Sequence, residues 1–319
     1  MAGQRNRVRF ARLVVGCLAC LTALVVLLYF GSLWFLASSP EHTEKSTARI
    51  SVNKEQEQRA GAPPHPLDPV LEMARSALQL HRSRDQDYTA KLIKRQRNGR
   101  RLGDAVSMEL KLRSRVSESN QEAIHEGELV ARAIDVYLKF LEPKSQAGRE
   151  VIWRQGMNQD LMTVHEAGLL NIARVELAPT SRLAMMGNRY PITDIGIERL
   201  LIKLIEMGMR DRSLGDCDVT ISEDFEFLGR RCTRIVVVHP EKSVEIDGNR
   251  QEYAYHRAEI DLDLEYEVPI HYASYLWPET PGGDPLLDEE FTYQDLRLNC
   301  NLTDVDFDPD NPSYNYPSR

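Results

Sequence analysis

The chain contains 319 residues and carries a formal net charge of -8, with 48 acidic against 40 basic residues. A nucleic-acid-binding protein is expected to present a basic face, so this balance argues against that class and no nucleic-acid partner is predicted. The length is sufficient for one large domain or two small ones with a sizeable buried core.

The N-terminus carries an uncharged run from Leu13 to Pro40, directly after four arginines. About 20 apolar residues are enough to cross a bilayer as a helix. Basic residues keep the preceding segment inside. We therefore predict a cytoplasmic N-terminus at 1–12 and a single transmembrane anchor at 13–39 in the cytoplasmic (inner) membrane, with the remaining chain outside. A cleaved signal peptide is the alternative, although its apolar region is usually only about 7–15 residues long.

The segment 40–66 is polar, lacks apolar periodicity and ends in a cluster of three prolines. This composition predicts a flexible linker. The main domain is predicted at 67–319. It begins with a helix at Asp68-Pro69, because Asp is favoured as an N-cap and Pro in the first turn.

A hairpin is predicted after this helix. Tyr88, Ala90 and Leu92 alternate with polar residues, and Asn98-Gly99 is a favoured dipeptide for a tight turn. The following stretch from Val106 to Leu112 alternates in the same way. Alternation indicates strands with one buried and one wet face, which suits an antiparallel sheet.

Short alternating runs continue to residue 298 and are interrupted by one helical pattern. We predict strands at 136–140, 150–153, 161–165, 174–177, 219–221, 225–227, 235–238, 253–262, 267–275 and 291–298. A second helix is predicted from Ile192 to Met209, capped by Thr193. Residues 121–129 fit a short helix or a loop. Strands and helices do not alternate, so the predicted class is α+β, with two helices packed on a large, strongly curved antiparallel sheet.

Motifs for covalent chemistry are absent from the predicted domain. The sequence lacks Gly-x-Ser-x-Gly, the phosphate-binding Gly-x-x-x-x-Gly-Lys and His-Glu-x-x-His. Its histidines show no zinc-site spacing. The alternating Asp304, Asp306, Asp308 and Asp310 lack the glycine and glutamate of a calcium loop. We therefore predict no metal, no cofactor and no catalytic residue.

Three cysteines lie beyond the predicted anchor: Cys217, Cys232 and Cys300. An oxidising compartment would permit one disulfide. Cys217 and Cys232 are the nearest in sequence and form the candidate pair. A two-residue hairpin loop at Gly229-Arg230 would place Cys232 opposite Phe227, so the bond would need a different turn.

Several motifs together resemble a bacterial envelope family known only as a domain of unknown function. They span roughly residues 68–316 and are Val136-Tyr-Leu-Lys-Phe-Leu-Glu-Pro143, Gly148-Arg-Glu-Val-Ile152, Asn188-Arg-Tyr-Pro-Ile-Thr-Asp-Ile-Gly196, Gly229-Arg-Arg-Cys232, Val238-His-Pro240, Glu290-Phe-Thr-Tyr293, Leu302-Thr-Asp-Val-Asp-Phe-Asp308 and Asn311-Pro-Ser-Tyr314. That family is in turn distantly similar to the LolA/LolB lipoprotein carriers. This resemblance implies a periplasmic incomplete barrel, closed by helices over an apolar cavity for acyl chains. Residues 117–133 look like an insertion relative to the family.

The alternating apolar side chains of the strands are predicted to face one side of the sheet and form the candidate ligand cavity. They are Val106, Met108, Leu110, Leu112, Val136, Leu138, Phe140, Ile260, Leu262, Ile270 and Tyr272. If the helices leave a gap, these residues bind a lipid, an acyl chain or a lipidated protein without covalent chemistry. If the helices fill that side, the protein is an envelope module that binds another protein or the cell wall.

Overall fold

The computed structural model describes residues 64–115, 129–168 and 173–317. These residues form two α-helices, α1 (Asp68–Arg84) and α2 (Ile197–Leu214). The fourteen strands of this part of the chain are β1 (Asp87–Asn98), β2 (Arg101–Leu102), β3 (Val106–Arg115), β4 (Ala133–Glu142), β5 (Glu150–Arg154), β6 (Met162–His165), β7 (Val175–Leu177), β8 (Asp218–Phe227), β9 (Arg230–Val238), β10 (Ser243–Ile246), β11 (Asn249–Glu252), β12 (Arg257–Asp263), β13 (Pro269–Leu276) and β14 (Leu286–Leu298).

Twelve strands form one antiparallel sheet in the order β7-β6-β5-β4-β3-β1-β14-β13-β12-β9-β8, with the short β2 attached to β1. The strands before α2 build one half and those after it build the other. The halves join where β1 pairs with β14 over the registers from Tyr88↔Leu298 to Gln96↔Glu289. The sheet is not closed, because β7 and β8 remain as its two edges. Two helices on an open antiparallel sheet confirm the predicted α+β class.

The two helices pack on one another and on one face of the sheet. Leu71 and Leu78 of α1 and Leu201 and Ile205 of α2 are buried in the same core as the strand residues. A Cβ at Gly208 of α2 would lie 2.9 Å from the Cδ2 of Leu71. The missing side chain therefore allows the helices to approach closely.

The second helix starts later than predicted. Residues Ile192–Asp194 form a 3₁₀ turn, and α2 begins at Ile197 with Gly196 as its N-cap residue. Thr193 is not the cap. The hydroxyl of Tyr88 accepts the backbone N–H of Ile197 at 3.0 Å, so a residue distant in sequence satisfies a donor of the first turn.

Gly196 is expected to tolerate no side chain, because of both its backbone conformation and its neighbours. Its φ is +115°, and a Cβ there would lie 2.8 Å from Cδ1 of Leu112. We expect Gly196→Ala to destabilise the fold by well over about 1 kcal/mol, because alanine disfavours this backbone region and also clashes. Gly99→Ala is the control, since Gly99 also has positive φ (+59°) but has nothing within 4 Å. Urea unfolding should rank Gly196→Ala as the less stable variant; the reverse order would contradict the clash.

Most predicted strands are present with shifted ends. The first hairpin has Gly99-Arg100 as its two-residue loop, not Asn98-Gly99, because Asn98 pairs with Arg101. The predicted strands 219–221 and 225–227 are one strand, β8, with an irregularity between Ser222 and Phe225. The start of the predicted strand 253–262 is irregular, and the short hairpin β10–β11 was not predicted.

The outer face of the sheet, opposite the helices, is covered in part by the C-terminal segment, residues 301–317. Phe307 and Tyr316 pack with Tyr137 and Ile152 in a second apolar cluster. Tyr314 stacks on Tyr137 with ring centroids 4.1 Å apart. This packing fixes the segment against β4 and β5.

Acidic residues of this segment pair with cations of β3 and β5 and with Arg174, which precedes β7. Asp304 accepts from Arg113 at 2.5 Å and from Arg154 at 2.9 Å, and Asp306 accepts from Lys111 at 2.8 Å. Asp310 accepts from Arg174 in the same way. Three of the four alternating aspartates therefore hold the segment in place, whereas Asp308 accepts the backbone N–H of Asp310 within it.

The candidate disulfide between Cys217 and Cys232 is contradicted by the structure. All three described cysteines are free. Cys232 pairs with Phe225, whereas Cys217 precedes Asp218, which pairs with Val238. Six residues of extended strand separate Val238 from Cys232, roughly 20 Å. The turn between β8 and β9 lies at Leu228-Gly229, so the two thiols sit at opposite ends of the strand pair.

Three of the predicted segments lie wholly or mostly outside the described residues. The anchor at 13–39 and nearly all of the linker at 40–66 lie outside the described residues, as does most of the insertion at 117–133. Neither of the two described helices is long and apolar enough to cross a membrane.

Candidate functional site

An apolar cavity of about 50 Å³ lies between the helix pair and the half of the sheet formed by β9, β12 and β13. Its walls carry no charged side chain. The residues that line it are Leu67, Val70, Leu71, Met73, Ala74, Leu201, Leu204, Met207, Gly208, Ile235, Val237, Tyr255, Ala258, Ile260, Leu262, Pro269 and Tyr272. Two tyrosine hydroxyls are the only polar side-chain groups in this set.

Three of the predicted cavity residues line this cavity: Ile260, Leu262 and Tyr272. The other eight belong to the core on the same side of the sheet and do not line it. They are Val106, Met108, Leu110, Leu112, Val136, Leu138, Phe140 and Ile270.

For the seven of these residues that lie on β3 and β4, the absence from the cavity has a topological reason. Strands β3 and β4 belong to the half of the sheet built before α2, and that half is covered by the segment between β7 and α2. Ile192 and Ile195 of this segment pack on the core, and Gly196 lies against Leu112. The helices instead lie over β9, β12 and β13.

The helix side of the cavity and its β9 wall were not predicted from the sequence. The apolar stripes of both helices were visible as 3.6-residue periodicity, and Ile235 and Val237 alternate within a predicted strand. Which stripe faces which strand depends on where α2 crosses the sheet. No local pattern carries that information.

The cavity is small for a lipid chain. An engineered cavity of about 150 Å³ is what admits benzene in a protein core. An acyl chain would therefore enter only if the walls moved. Met73 and Met207 are suited to this, because their unbranched side chains adapt to irregular space.

A buried polar group adjoins one end of the cavity. The hydroxyl of Tyr255 donates to Oδ2 of Asp211 at 2.8 Å, and Nε2 of His239 lies 3.1 Å from the same oxygen. The ring of Tyr253 stacks on His239 with centroids 3.9 Å apart. Burial, together with the Asp211 charge, raises the pKa of Tyr255 well above its usual range, so its hydroxyl stays neutral.

Cys217 lies close to this group but is poorly suited to nucleophilic chemistry. Burial and the neighbouring Asp211 raise the pKa of its thiol to about 11. A reactive cysteine needs a lowered pKa to form the thiolate. The thiol of Cys217 therefore stays protonated at neutral pH.

A second buried group fixes the start of α2 against α1. Glu198 of α2 accepts from Nε of Arg132 at 2.7 Å and from Nε of Arg82 at 3.0 Å. Arg132 also donates to the carbonyl oxygen of Asp85 at 3.2 Å, just past the end of α1. This network sets the position of the helix pair that covers the cavity.

Within residues 64–115, 129–168 and 173–317, no group of three or more metal-ligating side chains is assembled. The fold and the site define the class: a two-layer α+β protein with an open antiparallel sheet, two covering helices and an apolar cavity between the layers.

The chain belongs to the DUF1571 family, described as a protein of unknown function, whose profile matches residues 85–316. No curated protein matches the chain. Solved structures align over most of its length, and one of them is a LolA superfamily protein. The resemblance of the sequence motifs to a family of unknown function is confirmed by this match.

Three of these structures illustrate the degree of similarity. A putative outer membrane lipoprotein-sorting protein domain from Vibrio parahaemolyticus is 14% identical, covers 75% of this chain and 97% of that chain, and gives a TM-score of 0.32. The LolA superfamily protein from Nitrosomonas europaea is 10% identical (74% and 97% covered, TM-score 0.27). The Mycobacterium tuberculosis lipoprotein LppX is 12% identical (79% and 98% covered, TM-score 0.35). At this level the structures carry no argument about ligand or activity.

Proposed function

We propose that the protein is a membrane-tethered envelope protein that binds the apolar chain of a lipid or lipidated protein without covalent chemistry. The observation that carries this proposal is the cavity between the helix pair and β9, β12 and β13, which is walled by apolar side chains. Ligand sites are concave and mainly apolar, and each methylene removed from water contributes about 0.8 kcal/mol.

The tether is supported by the sequence. The uncharged run at 13–39 follows four arginines and is long enough to span a bilayer. Its orientation would place the domain in the periplasm. The predicted linker at 40–66 leads into Leu67 and α1, which supply one wall of the cavity.

The test is photo-crosslinking of the full chain in phosphatidylcholine nanodiscs with a diazirine-bearing fatty acid. We expect labelled peptides from α1 and from β12–β13. Ala74→Phe places a large side chain in the cavity and should reduce labelling by roughly tenfold or more, since a ligand pocket buries most of its ligand.

Ser76→Phe is the matched control, because Ser76 lies on the exposed face of the same helix. It introduces the same side chain and should leave labelling unchanged. Equal labelling of both variants, with both folded by circular dichroism, would overturn the proposal. The small volume of the cavity would then favour the alternative, an interaction module with a filled core.

A further inference from the structure

Lys94 lies on the inner face of the sheet, where a cation is unexpected. On β1, Tyr88 and Leu92 of the same face are buried in the core, and Lys94 follows in the same alternation. It pairs with Val106 of β3 and with Phe291 of β14. The side chain is half-buried beside these apolar neighbours.

The ammonium group has no carboxylate partner among the described residues. Its Nζ donates to the neutral amide oxygen Oδ1 of Asn188 at 2.5 Å. Burial lowers the pKa of Lys94 to about 8. A cation held by an amide alone is incompletely compensated for its loss of water.

The adjoining stretch of β14 carries two acidic residues, Asp288 and Glu289, and Oε2 of Glu289 has no hydrogen-bond partner among the described residues. Arg189, next to Asn188, donates to Asp288 at 2.5 Å. Tyr190 donates to Glu289 at 3.3 Å, and Glu289 lies opposite Gln96, one step beyond Lys94 on the inner face. Burial raises the pKa of Glu289, although Arg189 opposes this, so this carboxyl carries its charge less readily than an exposed one.

An aromatic path joins Lys94 to the cavity. Phe291 pairs with Lys94 on one side and with Tyr272, a cavity residue, on the other. The rings of Tyr272 and Phe291 are nearly parallel, with centroids 6.5 Å apart. Two strand spacings, about 10 Å, therefore separate the backbone of Lys94 from that of Tyr272.

We propose that Lys94 binds the anionic head, a carboxylate or a phosphate, of an amphiphile whose apolar chain occupies the cavity. The head replaces the Asn188 amide oxygen as the partner of Nζ, and Phe291 supports the chain between the two sites. This inference rests on the proposed function and deepens it, because it names the chemical class of the ligand.

The experiment compares two diazirine probes of equal chain length, a fatty acid and the corresponding alcohol, on the full chain in phosphatidylcholine nanodiscs. The readout is the ratio of acid to alcohol labelling. At about pH 6.5, below the Lys94 pKa of about 8, we expect Lys94→Met to lower this ratio by roughly 10- to 100-fold, as expected for loss of a charged hydrogen bond. Lys91→Met is the control, since Lys91 lies on the same strand but on the outer face.

The pH dependence gives a second readout. In the wild type the ratio should fall as the pH rises through about 8, because Lys94 loses its charge. Lys94→Arg should keep a high ratio to about pH 9.5, since arginine remains protonated there. A phosphate-headed probe of the same chain distinguishes a phospholipid from a fatty acid as the source of the head.

Two results would overturn the inference. An unchanged acid-to-alcohol ratio in Lys94→Met, with strong labelling by both probes, would reject the role of Lys94 and leave the proposed cavity intact. The absence of cavity labelling by either probe in the folded wild type would reject the cavity itself, and the head-group site with it.

Discussion

Glu198→Gln is expected to destabilise the protein by about 3–5 kcal/mol, because removal of one partner from a buried ion pair leaves the other charge uncompensated. Glu198 is 3% exposed, and its two carboxylate oxygens accept from Arg132 and Arg82. The measurement is urea unfolding followed by tryptophan fluorescence, for which the buried Trp153 is a suitable reporter.

The same network gives a pH dependence with a definite sign. Burial alone would raise the pKa of Glu198, but Arg132 and Arg82 outweigh it and lower the pKa below the usual value of 4.5. The ionised form is therefore favoured in the folded state. Its contribution is complete above about pH 4.5 and is lost as the pH falls through the lowered folded-state pKa. The difference in stability between wild type and Glu198→Gln should shrink in acid.

Glu206→Gln is the matched control, because Glu206 lies on the same helix and is exposed. Its effect should stay within about 0.5 kcal/mol. If Glu198→Gln were as mild as Glu206→Gln, the ion network would not fix the position of α2.

The second large effect is expected on the outer face, at Asp135→Asn. Asp135 is fully buried and accepts from Nη2 of Arg113 at 2.6 Å and from Nε of Arg115 at 2.9 Å. Its neutralisation leaves clustered arginines without their shared counter-ion and should cost about 3–5 kcal/mol in urea unfolding. Arg113 also holds Asp304, so the C-terminal segment should loosen.

Hydrogen exchange of peptides from residues 301–317 separates this local effect from global unfolding. We expect faster exchange in the C-terminal segment of Asp135→Asn under conditions where β12 and β13 remain protected. Glu109→Gln, at an exposed position on the neighbouring strand β3, should leave exchange unchanged. Uniform protection of the segment in Asp135→Asn would show that the apolar cluster around Phe307 alone docks it.

Local patterns were enough to find most of the sheet and both helices. Period-two alternation located β1, β3 and β4, and the apolar stripe of α1 follows its helical period. These signals depend on neighbouring residues in the chain. They could not show that Tyr88 would accept the N–H of Ile197 and move the start of α2 past Thr193.

The cavity also depends on contacts that local sequence patterns do not reveal. Alternation correctly placed Ile260, Leu262 and Tyr272 on the inner face, but it also selected residues of β3 and β4 that lie under the segment preceding α2. Both sets have the same pattern. Only the path of α2 across the sheet distinguishes a strand residue that faces the cavity from one that faces a filled part of the core.

The sequence by itself determined the α+β class, the family resemblance, the absence of known catalytic motifs and the expectation of an anchor at 13–39. The class and the anchor follow from composition and from periodicities that act over a few residues, and the family resemblance rests on the quoted motifs. The tertiary structure decided the position of the cavity, the separation of Cys217 from Cys232 and the place of Lys94 beside Phe291. Each of these depends on strand register and on contacts between residues far apart in the chain, which are fixed only when the two halves of the sheet join at β1 and β14.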